Sequence, residues 1–300
     1  MQFNSNMEQT SLHRDYSTIS PSARWLLQLK GLTKIPFARE AAELMLYAEK
    51  YEPDFTSKDL ALWGRVMHFE SRYWSIDQLL SDIPARNILE LSSGFSFRGL
   101  EAIKQNGVYY IDTDLDEVIA AKRELTAALQ HDQPGTGSKL DILPLNALDE
   151  EKFKAAVSRF NEGEVVIVNE GLLVYLDTPE KERLCKIIRD VLRERGGYWI
   201  TADIYIKRDL DAIIKIDDKL SEFFAQHNIE QNKFDSFEDA ENFFNKAGFV
   251  IDKEAEPDYA KLTALPYFMQ SATPGQMEKM RGVGKIHATW RLKLQDTQAL

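Results

Sequence analysis

The sequence is poor in cysteine: its 300 residues contain only Cys185. One thiol cannot build an internal disulfide, and its place among the apolar positions of an expected helix reads as a buried thiol, with which a reducing compartment is consistent. Long apolar runs are missing too. No stretch approaches the roughly 18 residues that a membrane span needs, and no basic start leads into an apolar segment that could serve as a leader. The expected location is the cytoplasm, with no membrane partner. Positive charge is in short supply, since 37 lysines and arginines face 48 aspartates and glutamates, giving a formal charge of -11 and a pI near 5.1. A surface of that sign does not neutralise phosphates, so nucleic acid is not an expected partner. The histidines His13, His68, His131, His227 and His287 are scattered without metal-ligand spacing, and no metal is expected. The glycine fingerprint GxGxxG is also absent: Ser92 stands where its first glycine would be, with Gly94 the next glycine and Gly99 after it.

What the chain does have is apolar content of 44%, enough for a large core, and a regular succession of elements. Residues 1–20 are polar and read as a loose arm that folds over the core when something binds. Residues 21–84 carry helical periodicity, with Trp63, Met67, Trp74 and Ile76 at core spacing in a third helix from Ser57 to Leu80. From Asn87 the pattern changes to apolar runs bounded by turns. Asn87 to Leu91, Val108 to Ile111, Lys139 to Leu145, Glu164 to Val168 and Tyr198 to Ala202 read as strands alternating with helices. Ser96 is placed to cap a helix reaching Ile103 and closed near Gly107, whose amino end suits a carboxylate or phosphate. Such alternation predicts an α/β fold, a doubly wound and mostly parallel sheet with right-handed crossovers. Further helices are expected over Lys207–Gln226 and Phe237–Ala247, and a sixth strand begins at Gly248. His287 to Leu294 alternates as a last strand, and this terminal pair of strands is expected as an antiparallel edge. Residues 255–284 read either as a substrate loop or as a long connection.

Ligands of such sheets bind beyond the carboxyl ends of the central strands. The residues that leave those ends are Ser92, Ser93 and Gly94, then Asp112 and Asp114, then Asn146, then Asn169 and Glu170. They are expected to converge on one crevice. Asp114, with Asp112 as the alternative, falls about 20 residues after the first turn, where a carboxylate can accept both hydrogen bonds of a ribose diol.

Three segments in this order resemble the leucine carboxyl methyltransferase family of S-adenosylmethionine-dependent O-methyltransferases, which includes polyketide-pathway members. LSSGFSFRGL is similar to L-G-A-G-x-D-T-R, matching Gly94 and Arg98 with serines at 92 and 96. YYIDTDLDEVIAAK is similar to Y-E-x-D-x-P-x-V-x-x-K, matching Asp114, Val118 and Lys122. NEGLLVYL is similar to A-E-G-L-L-x-Y-L and is the most specific of the three. The resemblance covers about residues 72–207. It implies a Rossmann-like, class I methyltransferase sheet of seven strands with an N-terminal helical cap over 21–84 and a methyltransferase domain over 85–300, with substrate-side insertions near 205–235 and 255–284.

The same resemblance implies S-adenosylmethionine as cofactor and a set of contacts to it. Arg72 is expected to grip the cofactor carboxylate, the alternative being a surface pair with Glu70. Gly94 lets backbone approach the methionine part, beside Glu90, Ser92, Ser93 and Arg98. Asp114 or Asp112 takes the ribose, Asn146 bonds the adenine amino group through its side-chain oxygen beside Ala147, and Glu170 next to Asn169 holds the amino group or caps local backbone donors. Tyr175, Asp203 and Tyr205 are the candidate contacts to a small-molecule acceptor. An acceptor carboxylate, with a reference pKa of about 4, needs no base, whereas a phenol at about 10 does. No histidine falls in the crevice, so alignment rather than base catalysis is expected. Two other readings stand beside this one: a cofactor-binding protein without methyl transfer, and a protein C-terminal carboxyl methyltransferase. A nicotinamide-dependent oxidoreductase fits the glycine pattern less well. Oligomeric state is left open by the sequence.

Overall fold

The computed structural model describes residues 20–45, 52–131, 134–207, 222 and 225–295. The arm expected over 1–20 and most of the helix expected over 207–226 lie outside the described residues. Three helices come first: α1 (Ser20–Lys30), α2 (Ala38–Met45) and α3 (Leu60–Ser81), the last capped by Asp59, whose carboxylate accepts from the amides of Ala61 and Leu62. Then follow β1 (Asn87–Leu91), α4 (Arg98–Ala102), β2 (Tyr109–Asp114), α5 (Asp116–Leu129), β3 (Lys139–Pro144), α6 (Glu150–Val157), β4 (Val165–Asn169), α7 (Thr178–Arg195) and β5 (Gly197–Tyr205). The chain closes with α8 (Ile229–Asn232), α9 (Phe237–Lys246), β6 (Phe249–Glu254), α10 (Leu265–Ser271), α11 (Pro274–Val283) and β7 (His287–Leu294). Among the described residues no helix is long and apolar enough to cross a membrane.

The seven strands form one sheet in the order β3-β2-β1-β4-β5-β7-β6, parallel except for β7, which pairs antiparallel with both β5 and β6. This is the Rossmann-like, class I methyltransferase arrangement. Its parallel core follows from residues that are apolar on both faces. Leu89, Ile111 and Ile167 point to the side covered by Phe153 of α6 and Leu184 and Ile188 of α7. Their neighbours Ile88, Tyr110 and Val166 point to the side covered by Tyr73 and Ile76 of α3, Leu100 of α4 and Val118 of α5. A strand covered on both faces leaves no polar alternation to read.

The antiparallel edge expected of the terminal pair is found, with β6 outermost and β7 between β5 and β6. Ala288 to Leu292 are buried, which suits an inner position, whereas β6 ends in the exposed charges of Lys253 and Glu254 that protect an open edge. The helix after the first turn is short, five residues instead of a run from 96 to 103, and its N-cap Phe97 makes no side-chain cap. So brief a helix sums few peptide dipoles, and its amino end adds little to anion binding.

The segment 255–284 is neither a bare loop nor a plain connection. Glu70, fully buried on α3, accepts hydrogen bonds from the amides of Thr263 at 2.9 Å and Ala264 at 3.0 Å, and so pins the segment to the helix. Helix α11 starts in a capping box made by Thr273 and Gln276, a signal present in the sequence as T-x-x-Q with proline at the first helical position.

Candidate functional site

The carboxyl ends of the parallel strands open onto a cavity of about 1390 Å³. Ser92 to Ser96 reach it from β1, Asp114 and Leu115 from β2, Asn146 and Ala147 from β3, Glu170 to Leu172 from β4, and Tyr205 to Lys207 from β5. Helices α1 and α3 and the segment 257–286 supply the opposite wall. The turn after β1 doubles back because Ser92 (φ 49°) and Gly94 (φ 51°) are both left-handed. Asp114 locks it: one carboxylate oxygen accepts from the Gly94 amide at 2.7 Å and the other from the Leu115 amide at 2.7 Å. Beneath the turn, fully buried Lys122 donates to Ser93 Oγ at 2.7 Å and pairs with Asp112 at 3.0 Å. Burial pushes the Asp112 carboxyl up, with Lys122 pulling against it.

A second group gathers around Glu170. Lys30 at the end of α1 donates to its Oε1 at 2.7 Å, Arg98 lies 3.4 Å from its Oε2, and Arg72 Nε stands 3.9 Å away. Burial works to raise the Glu170 carboxyl, and the Lys30, Arg72 and Arg98 cations outweigh it and hold it at about 2. Burial lowers Lys30, against the pull of Glu170. Arg72 Nε is buried without a hydrogen-bond partner among the described residues, although its side chain lines the cavity. A buried donor left open in this way costs free energy unless a ligand meets it.

The turn that carries Glu170 is itself held from below. Asp203 accepts the amides of Gly171 at 2.7 Å, Leu172 at 2.7 Å and Leu173 at 3.0 Å, together with the side chains of Asn169 at 2.7 Å and Arg72 at 3.3 Å. A bulge in β5 between Thr201 and Ile204 lets Asp203 take this position. The Ala202 carbonyl at the bulge receives His287 Nε2 at 2.7 Å.

Comparison with known proteins adds context. No family model matches the sequence, and no curated protein matches it. Among solved structures, the chain is similar to magnesium protoporphyrin IX methyltransferase (ChlM) from Synechocystis PCC 6803 with bound SAH, at 9% identity over 87% of this chain and 95% of that one, with a TM-score of 0.48. It is similar to the mitomycin 7-O-methyltransferase MmcR, at 13% identity over 92% of this chain and 68% of that one, with a TM-score of 0.44. A pericyclic reaction enzyme matches at 12% identity and a TM-score of 0.43 over 73% of this chain, and the chain spans 47% of that enzyme's length. At such TM-scores the strand order itself carries the fold assignment.

The sequence-expected residues divide by position. Arg72, Ser92, Ser93, Gly94, Asp114, Asn146, Ala147, Glu170, Tyr175 and Tyr205 come together on the cavity. Glu90, Arg98, Asp112, Asn169 and Asp203 do not line it. Glu90 is fully buried and accepts from Tyr110 at 2.6 Å. Arg98 stacks on Tyr73, with its guanidinium 4.0 Å from the ring centre, and pairs with Asp77 and Glu170. Asn169 receives Trp199 Nε1 at 2.6 Å and donates to Thr201 and Asp203. Asp203, expected as an acceptor contact, instead lies under the 171–173 turn, where backbone amides claim both its oxygens. The alternative pair of Arg72 with Glu70 is not formed, since Glu70 serves Thr263 and Ala264. Asn146 Oδ1, expected at an adenine amino group, accepts the Leu148 amide at 3.0 Å.

Two cavity residues were missed by the sequence reading. Lys30 lies at the end of an apolar helix with no motif around it. His68 sits one helical turn before Arg72 on the same face of α3, and the expectation that no histidine reaches the crevice is overturned. The four-residue spacing from His68 to Arg72 was the signal available.

Proposed function

We propose that this chain is an S-adenosylmethionine-dependent O-methyltransferase acting on a small molecule, of the kind found in the leucine carboxyl methyltransferase family. The observation that carries the reading is the group of Lys30, Arg72 and Glu170 at the cavity wall, with Arg72 Nε lacking a hydrogen-bond partner among the described residues. An amino-acid headgroup presents a carboxylate and an ammonium, and this group answers both. Lys30 and Arg72 fit the carboxylate, and Glu170, ionised throughout the physiological range, fits the ammonium. The left-handed turn at Ser92 to Gly94 brings backbone close to the chain of the methionine part. Asp114 retains lone pairs on both oxygens for a ribose diol, and Leu115, Val118, Leu145 and Ala147 supply an apolar wall for a base.

The bound cofactor would supply an electrophilic methyl group on a sulfonium. The protein's part is to hold the acceptor oxygen in line with it, at about 3 Å, and to keep water out. A cavity of about 1390 Å³ exceeds the usual range of roughly 300–1000 Å³ for one small ligand, which leaves room for an acceptor beside a cofactor.

Isothermal calorimetry with S-adenosylhomocysteine tests this reading. Wild type is expected to bind, and K30A and R72A are each expected to weaken binding by about tenfold or more, the size of one charge-assisted contact. No binding by wild type, or binding that neither substitution affects, would overturn it.

A further inference from the structure

Besides the cofactor group, the cavity is lined by apolar residues such as Met67, Leu262, Phe268 and Ile286, by the charged Arg65, Lys207, Glu230 and Lys233, and by His68 with Tyr205. His68 Nε2 lies 2.7 Å from the Tyr205 hydroxyl, and its ring packs against His287 with centroids 5.4 Å apart. Its Nδ1 has no partner among the described residues. The Ala202 carbonyl can only accept, so His287 carries its proton on Nε2. That fixes the second imidazole and leaves His68 as the one ring of the pair that fronts the cavity.

Among the lining cations, Lys30 and Arg72 are given above to the cofactor's carboxylate, Lys207 pairs with Asp235 at 2.7 Å, and Lys233 pairs with Glu230. A carboxylate brought against the apolar residues of the lining would lose its hydration and compete with Asp235 and Glu230 for a cation, whereas a neutral hydroxyl needs only one acceptor.

We propose that His68, held in orientation by Tyr205, is the proton acceptor for the hydroxyl of an apolar, ring-bearing acceptor, a phenol or enol rather than a carboxylic acid. The inference rests on the methyl-transfer reading above. In the step, the hydroxyl oxygen forms a bond to the methyl carbon, and the carbon–sulfur bond breaks with its electron pair remaining on sulfur. The hydroxyl proton passes to Nδ1 of His68 and from there to water. Nε2–H donates to Tyr205 throughout. The imidazole is neutral when the acceptor arrives: burial lowers its pKa well below the ordinary 6.5, His287 from β7, Arg72 from its own helix and Lys233 act in the same direction, and Glu170 opposes them. Tyr205 from β5 remains protonated, raised by burial against the pull of Arg72. Turnover on a hydroxyl substrate is therefore lost on the acid side only below the pH at which free imidazole titrates.

The experiment separates this claim from the cofactor claim. Calorimetry with S-adenosylhomocysteine on wild type, H68Q and H68A is expected to give affinities equal within about threefold, well under the tenfold of one lost contact. Failure of wild type to bind overturns the methyl-transfer reading and this inference with it; loss in both variants alone makes His68 a support of the cofactor site and overturns only this inference. Nitrogen-15 NMR of histidine-labelled full-length protein near neutral pH is expected to show a neutral His68 with Nδ1 unprotonated, and a cationic ring or a proton on Nδ1 overturns the proposal. In protein loaded with S-adenosylhomocysteine, beta-naphthol is expected to bind at least about tenfold more tightly than beta-naphthoate, the least that an unpaired buried charge should cost. H68Q and H68A should abolish that preference. Equal or tighter binding of the acid, no binding of either probe, or a preference unmoved by both substitutions overturns the inference while leaving the cofactor reading standing.

Discussion

Glu170 shows how one carboxylate organises a site by being surrounded. Its three cationic neighbours come from α1, α3 and α4, so the charge fastens the helical layer to the end of β4. Because its folded pKa, about 2, lies below the ordinary 4.5, its contribution to stability is complete above pH 4.5 and is lost as pH falls toward 2. E170Q removes the anion and takes from buried Lys30 its carboxylate partner, while Arg72 keeps Asp203 and Arg98 keeps Asp77. Taking one partner from a buried pair costs about 3–5 kcal/mol, so the variant is expected to lose stability of that order in urea denaturation at neutral pH. The difference from wild type should shrink as the pH is lowered through that window. A variant as stable as wild type at neutral pH would mean that Lys30 finds another partner or reaches water. His287 works in the same sense: burial holds it at about 4 against the ordinary 6.5, and protonating it as pH falls between those values also destabilises the fold.

At the scale of elements, the decisive piece is the turn between β1 and α4. Ser92 and Gly94 both sit at positive φ, and a residue with a Cβ pays about 1–2 kcal/mol there relative to its favoured region. G94A is expected to destabilise by about that much, even though the added Cβ would meet only Ala23 Cβ at 3.7 Å, an ordinary contact. S92G should be neutral or stabilising by up to about 1 kcal/mol, because relief of the backbone is offset by the greater freedom of glycine when unfolded. Thermal denaturation of the pair checks both signs, and a destabilised S92G would show that the serine side chain holds the turn. The resemblance to the family pattern placed a glycine at position 92 as the usual residue, and the observed φ gives the physical reason for that preference.

For the whole molecule, the cavity is closed by parts far apart in the chain, so ligand binding should tie sheet and helical layer into one unit. At a hundredfold excess over its Kd, a ligand that binds only the folded state stabilises it by about 2.7 kcal/mol. S-adenosylhomocysteine is thus expected to raise Tm by several degrees in wild type. R72A should show a much smaller shift at the same concentration. An equal shift in both would place the ligand away from the Lys30, Arg72 and Glu170 group.

The sequence alone determined the order of elements and the strands' exits, because parallel strands buried on both faces write themselves as apolar runs and turns follow from serine, glycine and aspartate. It therefore located Ser92 to Gly94, Asp114 and Glu170, each next to the end of its own strand. Tertiary structure decided what those residues face. Lys30 and Glu170 are 140 positions apart and meet only because α1 lies across the sheet's carboxyl edge. Asp203 and Asn169 sit near strand ends like the cavity residues, yet the β5 bulge sets Asp203 under the 171–173 turn and Asn169 bonds Trp199, Thr201 and Asp203, and no local pattern distinguishes the two outcomes. His68 belongs to a helix whose register against β5 and β7 is set by packing, so its place beside Tyr205 arises only when helix and sheet are brought together.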